Sequence, residues 1–152
     1  MGNSPGPPRN EKLIFAITRV LGSTKACAER GDESMFRLLG QYYSVAADAV
    51  AAADGRVIKC MGDGTLIVFP TGDPIATVEA LRRFQEKANQ LWGEFDERCQ
   101  VQVKVGVGTV VAGMLGAPGE ERYDIIGTAL NSLTKAPWGE FEISAELEDR
   151  LR

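Results

Sequence analysis

The chain has 152 residues, of which 44% are hydrophobic, and its formal net charge is −4. This length supports one compact domain with a sizeable core, and the negative charge argues against a general nucleic-acid binder, which needs clustered Lys and Arg. The sequence contains no histidine, which excludes catalysis by a Ser-His or Cys-His pair. Any chemistry must therefore rest on carboxylates, lysines, arginines, amides and hydroxyls.

The three cysteines, Cys27, Cys60 and Cys99, form no pattern typical of a disulfide framework or a zinc site. Such an unpatterned set of thiols fits a reducing compartment, and no basic-then-apolar signal segment opens the chain. No apolar run is long enough to cross a bilayer. We therefore expect a cytoplasmic protein that does not insert into a membrane.

The first half of the chain predicts a leader, a strand and a helix. Residues 1–12 are rich in Pro, Gly and Asn and are predicted to be a flexible leader, so that the domain spans residues 13–152. The apolar run 13–21 predicts a buried strand, and Arg19 interrupts it, although a buried arginine needs water or an anion. Apolar residues at helical spacing over 33–53 predict a helix that faces the core.

A β-hairpin is predicted next, because two β-rich runs flank the turn Gly62-Asp63-Gly64. The strands on either side hold the Asp63 carboxylate firmly, so it is well placed to bind a cation. Gly-Asp-Gly is also ordinary turn chemistry. The hairpin tip is therefore either half of a metal site or a plain turn.

The second half of the chain predicts a helix, two or more strands and two short helices. Asp73-Pro74 supplies a cap and a first helical residue for a long helix that ends near Glu97. Alternating valines over 101–107 predict a strand with one face on the core, which 110–113 continues or returns. The remaining expected elements are a strand at 123–127, a helix at 129–134, a strand at 141–144 and a terminal helix capped by Ser144.

This order of elements predicts an α+β sandwich close to the ferredoxin-like, split βαβ arrangement. The sheet is expected to be mainly antiparallel, with helices on one face. A fold of this kind hosts many activities, so it does not by itself indicate a function.

Five motifs, in this order and spacing, resemble the catalytic domain of class III adenylyl and guanylyl cyclases. They are Gly22-Ser23-Thr24, Glu29–Glu33, Val57–Gly64, Val110–Gly113, and Tyr123–Gly127 followed by Asn131. The resemblance covers nearly the whole chain after the leader. It implies the nucleotide cyclase fold, head-to-tail dimers with sites at the interface, and phosphoryl transfer assisted by two Mg²⁺ or Mn²⁺ ions on two carboxylates.

The resemblance also implies roles for individual residues. Asp63 resembles the metal ligand of the hairpin, and the turn Gly22-Ser23-Thr24 resembles the segment whose backbone amides face phosphate. Lys59 and Asp124 resemble the pair that reads the purine edge, in the combination that favours adenine. Asn131 resembles the asparagine that orients the ribose. Plainer interpretations are a solvated strand lysine, a strand-end carboxylate and a turn amide.

Two positions depart from the family pattern. Arg19 stands where the first metal-binding aspartate is expected, so Asp63 lacks its partner carboxylate, and we expect an Arg19–Asp63 ion pair in place of the metal site. The arginine expected one helical turn after Asn131, which would stabilise the migrating phosphoryl charge, is also missing. Lys135 lies nearby in the sequence as a weak catalytic candidate, but only as a point charge.

These departures favour a degenerate cyclase domain, inactive or very weakly active, with a regulatory, nucleotide-sensing or protein-association role in signalling. The alternative is an active adenylyl cyclase that converts ATP to cyclic AMP and pyrophosphate with two divalent metals. No cofactor is expected in the first case, and Mg²⁺ or Mn²⁺ in the second. The expected partners are ATP or GTP and either a protein partner or a second copy of the chain, but no nucleic acid.

Overall fold

The structure, a computed structural model, describes residues 6–152. Its strands are β1 (Arg9–Leu21), β2 (Arg56–Met61), β3 (Gly64–Phe69), β4 (Gln100–Leu115), β5 (Arg122–Ile126) and β6 (Phe141–Ile143). Its helices are α1 (Ser23–Arg30), α2 (Asp32–Ala51), α3 (Pro74–Phe95), α4 (Thr128–Lys135) and α5 (Ala145–Arg150). All six strands belong to one sheet.

The sheet has the strand order β2-β3-β1-β4-β5, and β6 pairs with the first half of β4. Strand β1 is central, with β3 on one side and β4 on the other. Every pairing is antiparallel except that of β4 with β6. The prediction of a mainly antiparallel α+β fold is therefore confirmed.

Successive side chains of β1 point to opposite faces, and each face has its own apolar cluster. Ile14, Ala16 and Val20 belong to the larger cluster, which the long helices α2 and α3 cover. Phe15 belongs to the smaller cluster on the other face, where α4 contributes Leu130 and Leu133. The helices thus do not all lie on one face: the long ones cover the larger cluster, and α4 packs against the other side of the sheet.

The start of β1 corrects the predicted boundary of the leader. Strand β1 begins at Arg9, which pairs with Ala112, and the pairing continues through Lys12 opposite Thr109. Residues 9–12 therefore belong to the sheet, because ladder hydrogen bonds to β4 hold polar residues that apolar burial alone would not order. Residues 6–8 form no helix or strand, and the first five residues of the predicted leader lie outside the described part of the chain.

Strand β4 is longer than the valine alternation indicated. It runs without interruption over 16 residues, so the segment 110–113 continues it instead of returning.

Among residues 6–152, no helix combines the length and the apolar character needed to span a membrane.

Candidate functional site

The turn between β1 and α1 depends on Gly22. Its φ is 82°, in the left-handed region, and a Cβ atom placed there would lie 2.9 Å from the carbonyl oxygen of Arg98. Glycine is required on both grounds. The resemblance assigned this turn, with Ser23 and Thr24, to phosphate binding, which stays a prediction. The structure supplies a separate reason for the glycine, which is the close approach of the Arg98 backbone.

The carboxylate of Asp63 ties the hairpin tip to this turn. Its Oδ2 atom accepts hydrogen bonds from the backbone nitrogen of Val20 and from the Ser23 hydroxyl, each at 2.9 Å. The pairing of β1 with β3 ends at Thr18 opposite Thr65, so Val20 lies beyond the ladder. Asp63 takes the place of the missing strand acceptor, and the hairpin tip and the start of α1 are held together.

The predicted Arg19–Asp63 ion pair is wrong. The Nε atom of Arg19 donates to Oε1 of Gln102 at 2.8 Å, and its guanidinium carbon lies 4.5 Å from the centre of the Trp138 ring. Arg19 forms no ion pair with any carboxylate of residues 6–152. The pleat of the strand explains this difference, because Arg19 projects from the same face as Phe15. There it leans towards β4, where Gln102 is its cross-strand partner. Asp63 instead reaches the edge of β1 on the β3 side.

Lys104 is a second cation on this face, and no sequence motif indicated it. It lies on β4 opposite Ile17, is 0% exposed, and its ammonium group donates to the carbonyl oxygens of Thr134 and Ala136 at 3.0 and 2.7 Å. Burial, and secondarily the charge of Arg19, lower the pKa of Lys104 below its ordinary value. The available signal was a lysine at a polar position of a valine-rich strand, which is equally typical of a solvated face.

Lys59 and Asp124 are in contact. The Nζ atom of Lys59 donates to Oδ2 of Asp124 at 3.1 Å, and nearby the Arg56 guanidinium lies 4.7 Å from the centre of the Tyr123 ring. Strands β2 and β5 stand at opposite ends of the strand order, so the sheet must curl for them to meet. The structure thus brings together the two residues that resemble the purine-reading pair, and their role in binding stays a prediction.

A β-bulge in β2 turns the Lys59 side chain towards Asp124. The register against β3 shifts between Val57, opposite Ile67, and Lys59, opposite Leu66. Ile67 belongs to the larger cluster and Leu66 to the smaller one, so the bulge transfers Lys59 to the face that β5 approaches. Strict alternation would have placed Lys59 on the same face as Val57.

Asn131 and Lys135 both lie on α4 and are exposed. Neither side chain forms a hydrogen bond within residues 6–152, and α4 ends at Lys135, two residues before Pro137. No hydrogen bond within the described residues therefore positions either side chain for its predicted catalytic role.

The donors at the hairpin tip do not fit a two-metal site. Asp63 offers one carboxylate, of which Oδ2 already accepts two hydrogen bonds, and the position that resembles the second ligand holds Arg19. In the part of the chain that the structure describes, no group of three or more His, Cys, Asp or Glu side chains is arranged to hold a metal ion. No catalytic step through a metal follows from these residues.

The family described as "Adenylate and Guanylate cyclase catalytic domain" matches residues 8–136. The chain belongs to this family. Among its relatives are two uncharacterized proteins of Mycobacterium tuberculosis. Rv1318c is 30% identical over an alignment of 152 residues that covers 95% of this chain. Rv1320c is 31% identical over an alignment of 132 residues that covers 86% of this chain. The chain spans only 28% and 23% of the length of these two proteins.

Solved cyclase structures share the fold. The adenylyl cyclase CyaB from P. aeruginosa matches with a TM-score of 0.83 at 20% identity, over 94% of this chain and 81% of that one. The guanylyl cyclase Cya2 matches with a TM-score of 0.82 at 19% identity, over 93% of this chain and 79% of that one. The predicted cyclase fold and family are thus confirmed.

Proposed function

We propose that this cyclase homology domain has lost metal-dependent catalysis, or retains it very weakly, and that it serves a regulatory, nucleotide-sensing or protein-association role in cytoplasmic signalling. The observation that carries the proposal is the placement of Arg19. Arg19 occupies the sequence position where the resemblance implies a metal-binding carboxylate, and Gln102 and the Trp138 ring hold its guanidinium.

Electrostatics supports this reading of Arg19. A guanidinium stays protonated in proteins, so its charge cannot be removed to admit a divalent cation. Its contact with Gln102 and its stacking on Trp138 hold the side chain on the β4 side of β1, so the residue that resembles the first metal ligand offers a divalent ion a positive charge and no oxygen donor. The second departure, the absent arginine after Asn131, removes a group that is worth about 10³–10⁵ in rate in other phosphoryl transfers.

The contact between Lys59 and Asp124 favours nucleotide sensing among these roles. This pair resembles the adenine-favouring combination, and a fold relative with 16% identity, the catalytic core of a rhodopsin-guanylyl cyclase with converted specificity, was solved in complex with ATPαS. The same contact favours the alternative function, an adenylyl cyclase with an unusual metal site. ATP or GTP and a protein partner or second copy are therefore the partners that we propose.

An assay for cyclic nucleotides tests the proposal. The whole chain is incubated with ATP or GTP and Mn²⁺, beside an active class III cyclase as positive control, and we expect no cyclic AMP or cyclic GMP above background. Metal-dependent cyclic AMP at a rate comparable to the control would establish the alternative. Thermal unfolding with ATP or GTP then separates sensing from association, because a ligand that binds only the native state raises its stability.

A further inference from the structure

Two cations lie on the same face of neighbouring strands without a carboxylate partner. Arg19 of β1 and Lys104 of β4 are diagonal neighbours, because Arg19 pairs with Gln102 and Lys104 with Ile17. Arg19 is half-buried and Lys104 is 0% exposed. Neither forms an ion pair with any acidic residue of the range 6–152. Buried charges in proteins are normally paired, so this arrangement calls for an explanation.

Neutral groups satisfy these cations only in part. Arg19 uses Nε for Gln102, and its two terminal nitrogens have no hydrogen-bond acceptor within the described residues. Lys104 donates two of its three hydrogens to the carbonyl oxygens of Thr134 and Ala136. The ring of Trp138 lies against both, with its centre 4.5 Å from the Arg19 guanidinium carbon and 4.2 Å from the Lys104 nitrogen.

An oxyanion would complete this arrangement. The terminal nitrogens of Arg19 form a planar fork that matches phosphoryl oxygens, and the third ammonium hydrogen of Lys104 becomes available if the Trp138 ring moves aside. Such an anion would also offset the repulsion between two like charges that lie close together in a poorly hydrated place.

We propose that Arg19 and Lys104 form a metal-independent binding site for a phosphoryl oxyanion, which Trp138 covers. The anion reaches the site from the Arg19 side, which solvent touches. A cavity of about 510 Å³ between β4 and α4 also borders Lys104, but Glu142 and Glu146 line it and repel an anion. The site does not rest on the proposed loss of catalysis, since it requires only the two cations and the ring.

Titration calorimetry of the whole chain with inorganic phosphate, at constant ionic strength and with EDTA present, tests this site. We expect saturable binding and a parallel change in tryptophan fluorescence, because Trp138 must move while Trp92, 0% exposed in the core, stays in place. Arg19→Gln is expected to weaken binding by about 10- to 100-fold, because it removes the charge and the two-nitrogen fork and leaves at best a neutral amide donor. Arg82→Gln is the matched control, since the Arg82 guanidinium carbon also lies over an aromatic ring, 4.1 Å from the centre of Phe141.

Saturable phosphate binding that Arg82→Gln retains and Arg19→Gln loses supports the site. Absence of saturable binding, or equal binding by Arg19→Gln and the unmodified chain, overturns it. Lys104→Met is a second test, provided that circular dichroism shows the variant to be folded, and unaltered binding by a folded Lys104→Met would also count against the site.

Tripolyphosphate and ATP, each with EDTA, identify the source of the oxyanion. Tighter binding of both than of phosphate, with the same dependence on Arg19, supports the site and indicates a nucleotide or polyphosphate. Equal affinities support it and indicate free phosphate. Binding of ATP alone, with no response to phosphate or tripolyphosphate, overturns the site, because recognition would then lie in the nucleoside. The cyclase assay is independent of all three results.

Discussion

The Oδ2 atom of Asp63 lies 2.9 Å from the backbone nitrogen of Val20 and accepts its hydrogen bond. The same oxygen accepts from Ser23, the first residue of α1. A residue that resembles a metal ligand therefore has a structural role, since it joins the tip of the β2–β3 hairpin to the end of β1. This role explains why the carboxylate can persist without a metal partner.

Asp63→Ala is expected to lower the free energy of unfolding by about 1–3 kcal/mol, because the partly buried Val20 amide and Ser23 hydroxyl lose their charged acceptor. Urea unfolding at pH 7 measures the change. Asp48→Ala is the control, since Asp48 is exposed on α2 and alanine is the better helix former, so this variant should be neutral or slightly more stable. Equal stability of the two variants would contradict the structural role.

Arg19→Asp is expected to create metal-dependent nucleotide binding, because it removes the fixed cation and supplies a carboxylate at the position that resembles the first metal ligand. The measurement is thermal unfolding with ATP and Mn²⁺, where a ligand at 100 times its dissociation constant adds about 2.7 kcal/mol of stability. Arg82→Asp, with the same charge change on α3, should show no such gain. A response no larger than that of the control would mean that Arg19 is not the block to metal binding.

The contact between Lys59 and Asp124 is expected to add little to stability. The two side chains are 56% and 21% exposed, and exposed ion pairs contribute about 0.2–1 kcal/mol. A double-mutant cycle of Lys59→Ala and Asp124→Ala measures the coupling, with the exposed Arg37–Glu33 pair as the matched comparison. A coupling energy far above that of the Arg37–Glu33 pair would indicate a structural role and weaken the case for nucleotide sensing.

Tyr42→Phe is expected to change how stability depends on alkaline pH. Burial raises the pKa of Tyr42 above its ordinary value near 10, so the unfolded chain ionises this residue before the folded one does. The unmodified protein therefore loses stability as the pH rises above about 10. Phenylalanine cannot ionise, so the variant should lose less over this range.

At pH 7 Tyr42→Phe is expected to be less stable than the unmodified protein by about 1 kcal/mol, because it loses the 3.1 Å hydrogen bond to Thr18. Urea unfolding at pH 7 and pH 11 measures both effects. Tyr123→Phe is the control for the alkaline effect, since Tyr123 is only half-buried and should give a smaller difference. Parallel curves for Tyr42→Phe and the unmodified protein would contradict the prediction.

The sequence by itself determined most of the elements, the fold class and the family resemblance. Alternating valines predicted β4, and Asp73-Pro74 predicted the start of α3, where the Asp73 side chain caps the helix by accepting from the backbone nitrogen of Ala76. These signals are local, because each comes from the pleat or the helical turn within a few residues. They could be read without knowing which strands are neighbours.

Only the tertiary structure decided where the charged side chains go. Arg19 was expected to meet Asp63, but the strand order gives it Gln102 across β4 and a ring from the segment after α4. Lys104 is buried by the end of α4, 30 residues further along the chain. The partner of a charge depends on strand order, register and sheet curl, which long-range packing sets and which no short stretch of sequence contains.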